Sequence, residues 1–435
     1  MSTEPVGDTK LIVQDLINKG RMAMLEIKDY TQEQANTLVQ AVAWAIYQQE
    51  HAEELARISV RDTGLGNYAD KVIKNQRKTL GTLRDLLDTD AKTVGVINID
   101  QAKGITEIAK PVGIVAAAVP STNPGATPAN VSMMALKGRN AIIIAPSPKG
   151  ASTTNKLLEY IHAELTKIGA PIDLVQALPT PVSKELTGEL MKQADLVTVT
   201  GSGNNVKLGQ TCGTPNVCVS AGNVVSVVDA SANLQEAAHK IMLSKTFDNA
   251  TSCSSDNAVV IEAAVYDAMI KALKNEGAYL CDAEEKVQMY KAMWDENGKR
   301  RGITTAKSAE EMVGVAGLAT PEAKNAKFFM VEETEVGKAF PFSGEKLSLV
   351  LAVYKVENFD QAVALTKRIL NFVGRGHSCG LHTSDESHIE QIGYEMDVCR
   401  LLINQAQCFG NGGSFNNGLN FTLSMGGGTW AGNNI

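Results

Sequence analysis

Between residues 113 and 228 short apolar runs alternate with helical stretches, and this alternation limits the fold more than any other feature. The runs at 113–119, 141–145, 173–178, 196–200 and 216–219 read as strands. Helical spacing falls near 129–138, 151–168, 183–194 and 205–211. In the second of these Leu157, Ile161 and Leu165 recur every four residues, and Gly169-Ala170-Pro171 ends the pattern. Strands that are apolar along their length and separated by helices predict a parallel sheet covered on both faces. Such sheets take nucleotides beyond the carboxyl ends of their strands.

A second α/β run covers 229–410, with strands expected at 258–262, 328–332, 347–356, 379–382 and 400–404. Ahead of the first sheet, residues 8–92 read as helical. Thr31 and Gln34 form a capping box before Leu38, Val42, Ala45 and Ile46, which share one helical face. Two β-prone stretches around Asp100 and Gly104, within 93–113, predict a hairpin. A chain of 435 residues with two such runs is too long for one core, so the expected architecture is α/β with two main domains.

Composition removes whole classes of function. With 41 Lys and Arg against 48 Asp and Glu there is no basic excess to neutralise phosphates, so neither nucleic acid nor an anionic membrane is an expected partner. The seven cysteines are odd in number, scattered and free of any CxxC pair, which argues against disulfides and a metal site. The start, MSTEPVGDTK, lacks a basic region followed by an apolar stretch, and runs such as 113–119 are too short to span a bilayer. A cytoplasmic location is therefore expected.

Three segments carry possible chemistry. FDNATSCSSDNAVVIE (247–262) places Cys253 in a polar loop ahead of a buried strand, where backbone amides and polar neighbours can stabilise a thiolate. Taken alone, a single loop cysteine is more often an inert thiol. VPSTNPG (119–125) follows the first parallel strand, and Asn123 offers an amide donor for a developing oxyanion, or simply a turn beside Pro124. TGSGNNVK (200–207) follows a strand and opens a helix, as a pyrophosphate site does, yet Val206 stands where a third glycine would be.

Together these segments resemble the CoA-acylating aldehyde dehydrogenases of the aldehyde dehydrogenase superfamily. GITEIAKPVGIV (104–115), KGRNAIIIAPSP (137–148), GTPNVCVSAGN (213–223), SKTFDNATSC (244–253), GEKLS (344–348), GRGHSCGLHT (374–383) and GGGTWAGNNI (426–435) match in the same order. The resemblance runs from about residue 10 to the end. It implies a Rossmann-type cofactor domain over 1–228, with 93–109 as an oligomerisation hairpin. An α/β catalytic domain over 229–415 and a segment over 416–435 that returns to the cofactor domain follow. A homodimer or homotetramer is implied as well. Relatives continue past the W-x-G-N-N point, so a shortened C-terminus at Ile435 is expected.

By similarity, Cys253 attacks an aldehyde, Asn123 and the Cys253 backbone N–H hold the oxyanion, and hydride leaves for a nicotinamide to give a thioester. Hydrolytic relatives carry a glutamate in E-L-G-G-K. Here the matching stretch, 219–223, begins with Val219, so no base for water is expected and coenzyme A becomes the acceptor. A thiol needs no such base. The dinucleotide is expected at Pro120, Thr200, Gly201, Ser202 and Gly222, with Glu345 on the nicotinamide ribose, although Leu349 replaces the proline of E-K-L-S-P. Ser147, Pro148 and Lys149 stand where NAD-specific relatives place an acid. This leaves room for a 2′-phosphate and tips the expectation from NAD towards NADP.

Arg375 is a candidate to bind an anionic substrate head, with a solvated surface arginine the favoured reading, and His377 either steers substrate or coenzyme A or is structural. The hydroxyl-rich Ser252, Ser254 and Ser255 suit a small polar aldehyde, with sulfoacetaldehyde a candidate beside succinate semialdehyde and acetaldehyde. Two other readings stand against this one: a hydrolytic NAD(P)-dependent aldehyde dehydrogenase releasing a free acid, and a non-catalytic nucleotide-binding protein.

Overall fold

The computed structural model describes residues 6–219 and 221–433. Met1–Pro5 of the N-terminal stretch, Ser220 of the V-S-A-G-N stretch, and Asn434 and Ile435 at the end of the W-x-G-N-N point lie outside the described residues. The region expected to be helical is four helices, Val6–Glu26, Gln32–Tyr47, Gln49–Thr63 and Tyr68–Leu86. Their breaks have local causes. Thr31 Oγ1 accepts the Gln34 N–H at 3.3 Å while Gln34 Oε1 accepts the Thr31 N–H at 2.9 Å, which closes the capping box. Gly64, with φ +66, ends the third helix, and Asn67 caps the fourth by accepting the Asp70 N–H.

Among the described residues fourteen strands follow: β1 (Gly95–Asp100), β2 (Ile105–Ala109), β3 (Ile114–Val119), β4 (Ala141–Pro146), β5 (Val175–Ala177), β6 (Leu196–Thr200), β7 (Asn216–Val219), β8 (Val224–Val228), β9 (Asp256–Glu262), β10 (Ala278–Leu280), β11 (Phe328–Glu332), β12 (Val350–Val356), β13 (Gly376–His382) and β14 (Val398–Ile403). β1 and β2 form an antiparallel hairpin. A parallel sheet has the order β5-β4-β3-β6-β7, and a second parallel sheet the order β10-β11-β12-β9-β8-β13-β14. The strands β3, β4, β8 and β9 are buried along their whole length, as near-continuous apolar runs require. Each fully buried valine or isoleucine in them contributes roughly 1.5–3 kcal/mol.

The structure corrects the expected layout in four places. β8 pairs inside the seven-stranded sheet, so the change of sheet falls between Val219 and Val224 and not at 228. β7 and β8 are both apolar and close in sequence, so hydrophobicity alone does not say which sheet β8 joins. β10 is too short to register as a strand pattern. β12 begins at Val350, because Leu347 adopts φ +44 and cannot continue a strand. β5 is shortened because Ile172–Leu174 forms a 3₁₀ turn.

The C-terminal stretch crosses back to the first half of the chain. The Phe421 N–H donates to Asp85 Oδ2 at 2.5 Å, and the Leu423 N–H to Asn130 Oδ1 at 3.1 Å. Asn433 brackets Cys218, accepting its N–H at 3.2 Å and donating to its carbonyl at 2.9 Å. No described helix is long and apolar enough to cross a membrane. The described residues contain no cluster of three or more His, Cys, Asp or Glu side chains arranged to hold a metal ion.

Candidate active site

A cleft of about 630 Å³ lies where the carboxyl ends of β3, β4 and β6 face the loops that lead into β9 and β12. This is the position at which parallel sheets leave backbone groups free for ligands. Pro120, Asn123, Ser147, Thr200, Gly201, Ser202, Cys253 and Glu345 all line it, although they come from both halves of the chain.

The loop that presents Cys253 departs from ordinary backbone. After the helix Leu234–Thr246, Asp248, Asn249 and Ala250 adopt φ +50, +51 and +58 in succession. Left-handed backbone costs a non-glycine residue on the order of 1–2 kcal/mol. Asp248 holds it in place. Its N–H donates to Asp70 Oδ2 at 2.7 Å, and its Oδ1 accepts the Asn67 N–H at 2.9 Å. Its Oδ2 accepts Lys71 Nζ at 3.1 Å, Lys74 Nζ at 2.5 Å and the Thr251 hydroxyl at 2.6 Å. Burial alone would raise this carboxyl, but Lys74 and Lys71 outweigh it and keep it below its ordinary value. Burial pushes the Lys71 ammonium down to about 8 despite the attraction of Asp248. Gly66 allows the approach, since a Cβ there would stand 1.9 Å from Asp248 Oδ1.

Cys253 faces His377, which is fully buried on β13. His377 Nε2 lies 3.3 Å from Cys253 Sγ, and Nδ1 lies 2.7 Å from Ser378 Oγ. Burial, aided by the charge of Arg400, pushes the imidazole down to about 3, so the ring is neutral near pH 7. Burial and then the charge of Glu345 push the thiol up to about 12, while its own backbone N–H and Arg400 pull the other way. The resting pair is therefore a neutral thiol beside a neutral imidazole. In the tautomer whose Nδ1–H donates to Ser378, Nε2 is an acceptor aimed at the Sγ–H.

Glu345 carries the carboxylate of the cleft lining. Its Oε1 accepts the Gly222 N–H at 2.9 Å, and burial raises it above its ordinary value. A Cβ on Gly222 would stand 1.7 Å from the Cys253 carbonyl oxygen, so no other residue fits at this position. Val219 also lines the cleft and is buried.

The cleft has features that fit a dinucleotide. The Ser147 and Thr200 hydroxyl oxygens are buried without a hydrogen-bond partner among the described residues, and both residues line the cleft. Ser202 caps the helix Gly203–Thr211 by accepting the Asn205 N–H, and open space surrounds Gly203. Orphan hydroxyls and free helix-start amides at strand ends are the donors that a ribose and a pyrophosphate need.

Four expected residues stand elsewhere. Arg375 does not reach the cleft; its guanidinium pairs with Asp397 at 2.6 Å and 3.0 Å on the exposed surface. Lys149 is exposed on a short turn outside the lining, and Lys184 lines the cleft in its place. The Gly222 N–H is taken by Glu345, so Ala221 and not Gly222 meets the cleft. His377 contacts the thiol but does not line the cavity.

Sequence reading missed Lys74, Asp248, Arg300 and Lys184. Asp248 lies inside the quoted FDNATSC stretch, and its neighbourhood was the available signal. Lys71, Lys74 and Lys78 share one helical face in a pattern that also describes a solvated surface, so nothing local marked Lys74 as buried.

Residues 7–418 match the family model described as the aldehyde dehydrogenase family. The chain is 50% identical over 435 residues to the sulfoacetaldehyde dehydrogenase (acylating) of Cupriavidus necator, covering 100% of this chain and 88% of that protein. It is 42% identical over 427 residues to the sulfoacetaldehyde dehydrogenase of Acholeplasma sp, covering 97% of this chain and 87% of that protein. The crystal structure of an acetylating aldehyde dehydrogenase from Geobacillus thermoglucosidasius is similar at a TM-score of 0.93 with 32% identity, covering 100% of this chain and 94% of that one.

Proposed function

The chain belongs to the aldehyde dehydrogenase family, and from that premise we propose that its cleft carries out the reversible CoA-acylating oxidation of a small polar aldehyde, with sulfoacetaldehyde the leading candidate. The observation that carries this reading is the 3.3 Å contact between His377 Nε2 and the Sγ of Cys253, which lines a cleft with valine at position 219.

His377 Nε2 takes the thiol proton as Sγ attacks the carbonyl carbon, so a free thiolate need not form first in a site that disfavours it. The aldehyde oxygen becomes an oxyanion within reach of the Asn123 side-chain amide and the Cys253 backbone N–H. A nicotinamide dinucleotide held there would supply a hydride acceptor for the hydrogen on the tetrahedral carbon, so that Cys253 would keep the acyl group as a thioester. Pro120, Ser147, Thr200, Gly201 and Ser202 would hold the dinucleotide, with Glu345 on its ribose. The thiol of coenzyme A then attacks the thioester carbonyl, and Cys253 leaves and regains a proton. Water is a poor competitor, because Val219 offers it no base and Glu345 is tied to the Gly222 N–H.

Three finer points belong to the same reading. Arg300 and Lys184 are the cationic side chains of the described cleft lining, and Arg300 donates to the Glu345 backbone carbonyl at 3.2 Å. That suits an anionic head group such as a sulfonate. NADP is preferred over NAD because no carboxylate follows β4 and Lys184 supplies a cation. The protein assembles as a homo-oligomer in the cytoplasm, through a hairpin on which Val96 and Ile108 face each other at 51% and 58% exposure.

The deciding experiment follows reduced cofactor with an aldehyde panel, with and without coenzyme A, for the wild type and Cys253→Ala. The expected result is CoA-dependent turnover that the variant lacks. Turnover that persists fully without coenzyme A overturns the acylating reading in favour of hydrolysis, and no turnover with any aldehyde favours a non-catalytic protein.

A further inference from the structure

Two donors have to converge on one oxygen in this site, and they come from different sheets. Asn123 sits on the loop after β3, and Cys253 on the loop before β9. Two buried ammonium groups, Lys71 and Lys74, join the two loops, and it is Lys74 that reaches the Asn123 side chain. Lys74 Nζ donates to Asn123 Oδ1 at 2.8 Å, to Asp248 Oδ2 at 2.5 Å and to Thr251 Oγ1 at 3.0 Å. An ammonium has three hydrogens and no acceptor, so these three bonds saturate it. Thr251 in turn donates its hydroxyl to Asp248 and stands two residues before Cys253.

The consequence lies in the Asn123 amide. An amide can present its oxygen or its NH₂ to a given neighbour, and crystallographic density rarely tells them apart. Here the neighbour is a donor only, so the oxygen must face Lys74. The NH₂ is thereby turned away from Lys74, and it makes no hydrogen bond among the described residues although Asn123 lines the cleft. Without the Lys74 ammonium, the amide oxygen loses its donor, and the Asp248 carboxylate, still bonded by Lys71, becomes an acceptor open to the NH₂. The cation also draws electron density from the carbonyl, which makes the amide a better donor.

We propose that Lys74 is a positioning residue that fixes the Asn123 amide with its NH₂ towards the reacting carbonyl oxygen and ties that amide to the loop of Cys253. Lys71 provides the internal comparison. It bonds the same Asp248 oxygen at 3.1 Å and the Thr122 carbonyl at 3.1 Å but does not touch Asn123. The inference rests on the acylating reading only for the oxyanion that the amide serves; the orientation of the amide stands apart from it.

The test is a double-mutant cycle of Lys74→Met and Asn123→Ala on the full-length enzyme, with Lys71→Met alongside, each checked for a cooperative melt. Lys74→Met should lower kcat about 10–100-fold, somewhat less than loss of a whole oxyanion donor, with dinucleotide and coenzyme A KM within about threefold. In the Asn123→Ala background the same substitution should change kcat by less than about threefold. Lys71→Met should lose a factor that does not depend on Asn123. Should Lys74→Met fail to fold, Lys74→Gln takes its place in the cycle. An undiminished loss in the Asn123→Ala background, or unchanged kcat in the single variant, overturns the proposal. A neutron or atomic-resolution structure of the Lys74 variant reads the amide without any turnover. Inversion of Asn123, with Nδ2 towards Asp248, supports the proposal, and an unchanged amide overturns it. If the wild type shows no CoA-dependent turnover, the functional reading falls while the amide orientation still decides this proposal.

Discussion

Cys253 Sγ and His377 Nε2 lie 3.3 Å apart, and burial holds the two groups in protonation states that leave both uncharged at rest. Removing the imidazole should leave the thiol without a nearby acceptor for its proton. His377→Ala is expected to slow acylation about 10²–10³-fold, within the range for a positioned base. The pre-steady-state burst of reduced cofactor measures this step directly. A burst of unchanged rate would assign the proton to another group.

The high thiol value sets a pH dependence with a definite sign. Below about 12 the thiolate fraction of resting Cys253 rises tenfold per pH unit, so alkylation by iodoacetamide should climb without a plateau from pH 7 to 9. The negative charge of Glu345 disfavours the thiolate, so Glu345→Gln lowers the thiol value and should speed alkylation roughly 3–10-fold at a given pH. A plateau near pH 8.5 in the wild type would contradict the geometry, as would slower alkylation in the variant.

Gly222→Ala tests the packing behind the nucleophile. Its Cβ would meet the Cys253 carbonyl at 1.7 Å, so the loop must move. Overpacking of this kind costs about 1–3 kcal/mol. The variant should melt several degrees lower and lose more than about 100-fold in kcat, since a shift of an ångström misplaces the sulfur. Wild-type turnover in Gly222→Ala would show that the loop gives way harmlessly.

Arg300 is half-buried and donates to the Glu345 carbonyl at 3.2 Å, with no carboxylate pairing it among the described residues. Its remaining N–H groups are free for an anion. Arg300→Gln should therefore lower kcat/KM for a sulfonate- or carboxylate-bearing aldehyde about 10–100-fold while changing acetaldehyde by less than threefold. Equal losses for charged and uncharged aldehydes would remove Arg300 from substrate recognition.

The hairpin makes a prediction about assembly. Ile99 and Ile108 are 61% and 58% exposed on a two-stranded ribbon too small to be stable alone. Placing aspartate at both should shift sedimentation to a smaller species, with the melt of the remaining fold little changed. An unaltered sedimentation coefficient would locate the subunit contact elsewhere.

What the sequence determined by itself was local and periodic. Continuous apolar runs specified buried parallel strands, the Thr31–Gln34 pair specified a helix start, and the polar loop around Cys253 marked a thiol outside a core. These follow from rules acting over a few residues, because backbone hydrogen bonding and the burial of one face are decided at that range. The tertiary structure decided every pairing between distant residues. His377 meets Cys253 across 124 positions, and Lys74 meets Asn123 across 49. Arg375 and Arg300 are indistinguishable as sequence, yet one is spent on Asp397 and the other lines the cleft. The assignment of β8 to the second sheet was settled in the same way. Such proximity depends on how two sheets pack and where their loops converge, and no short-range pattern in the chain encodes that convergence.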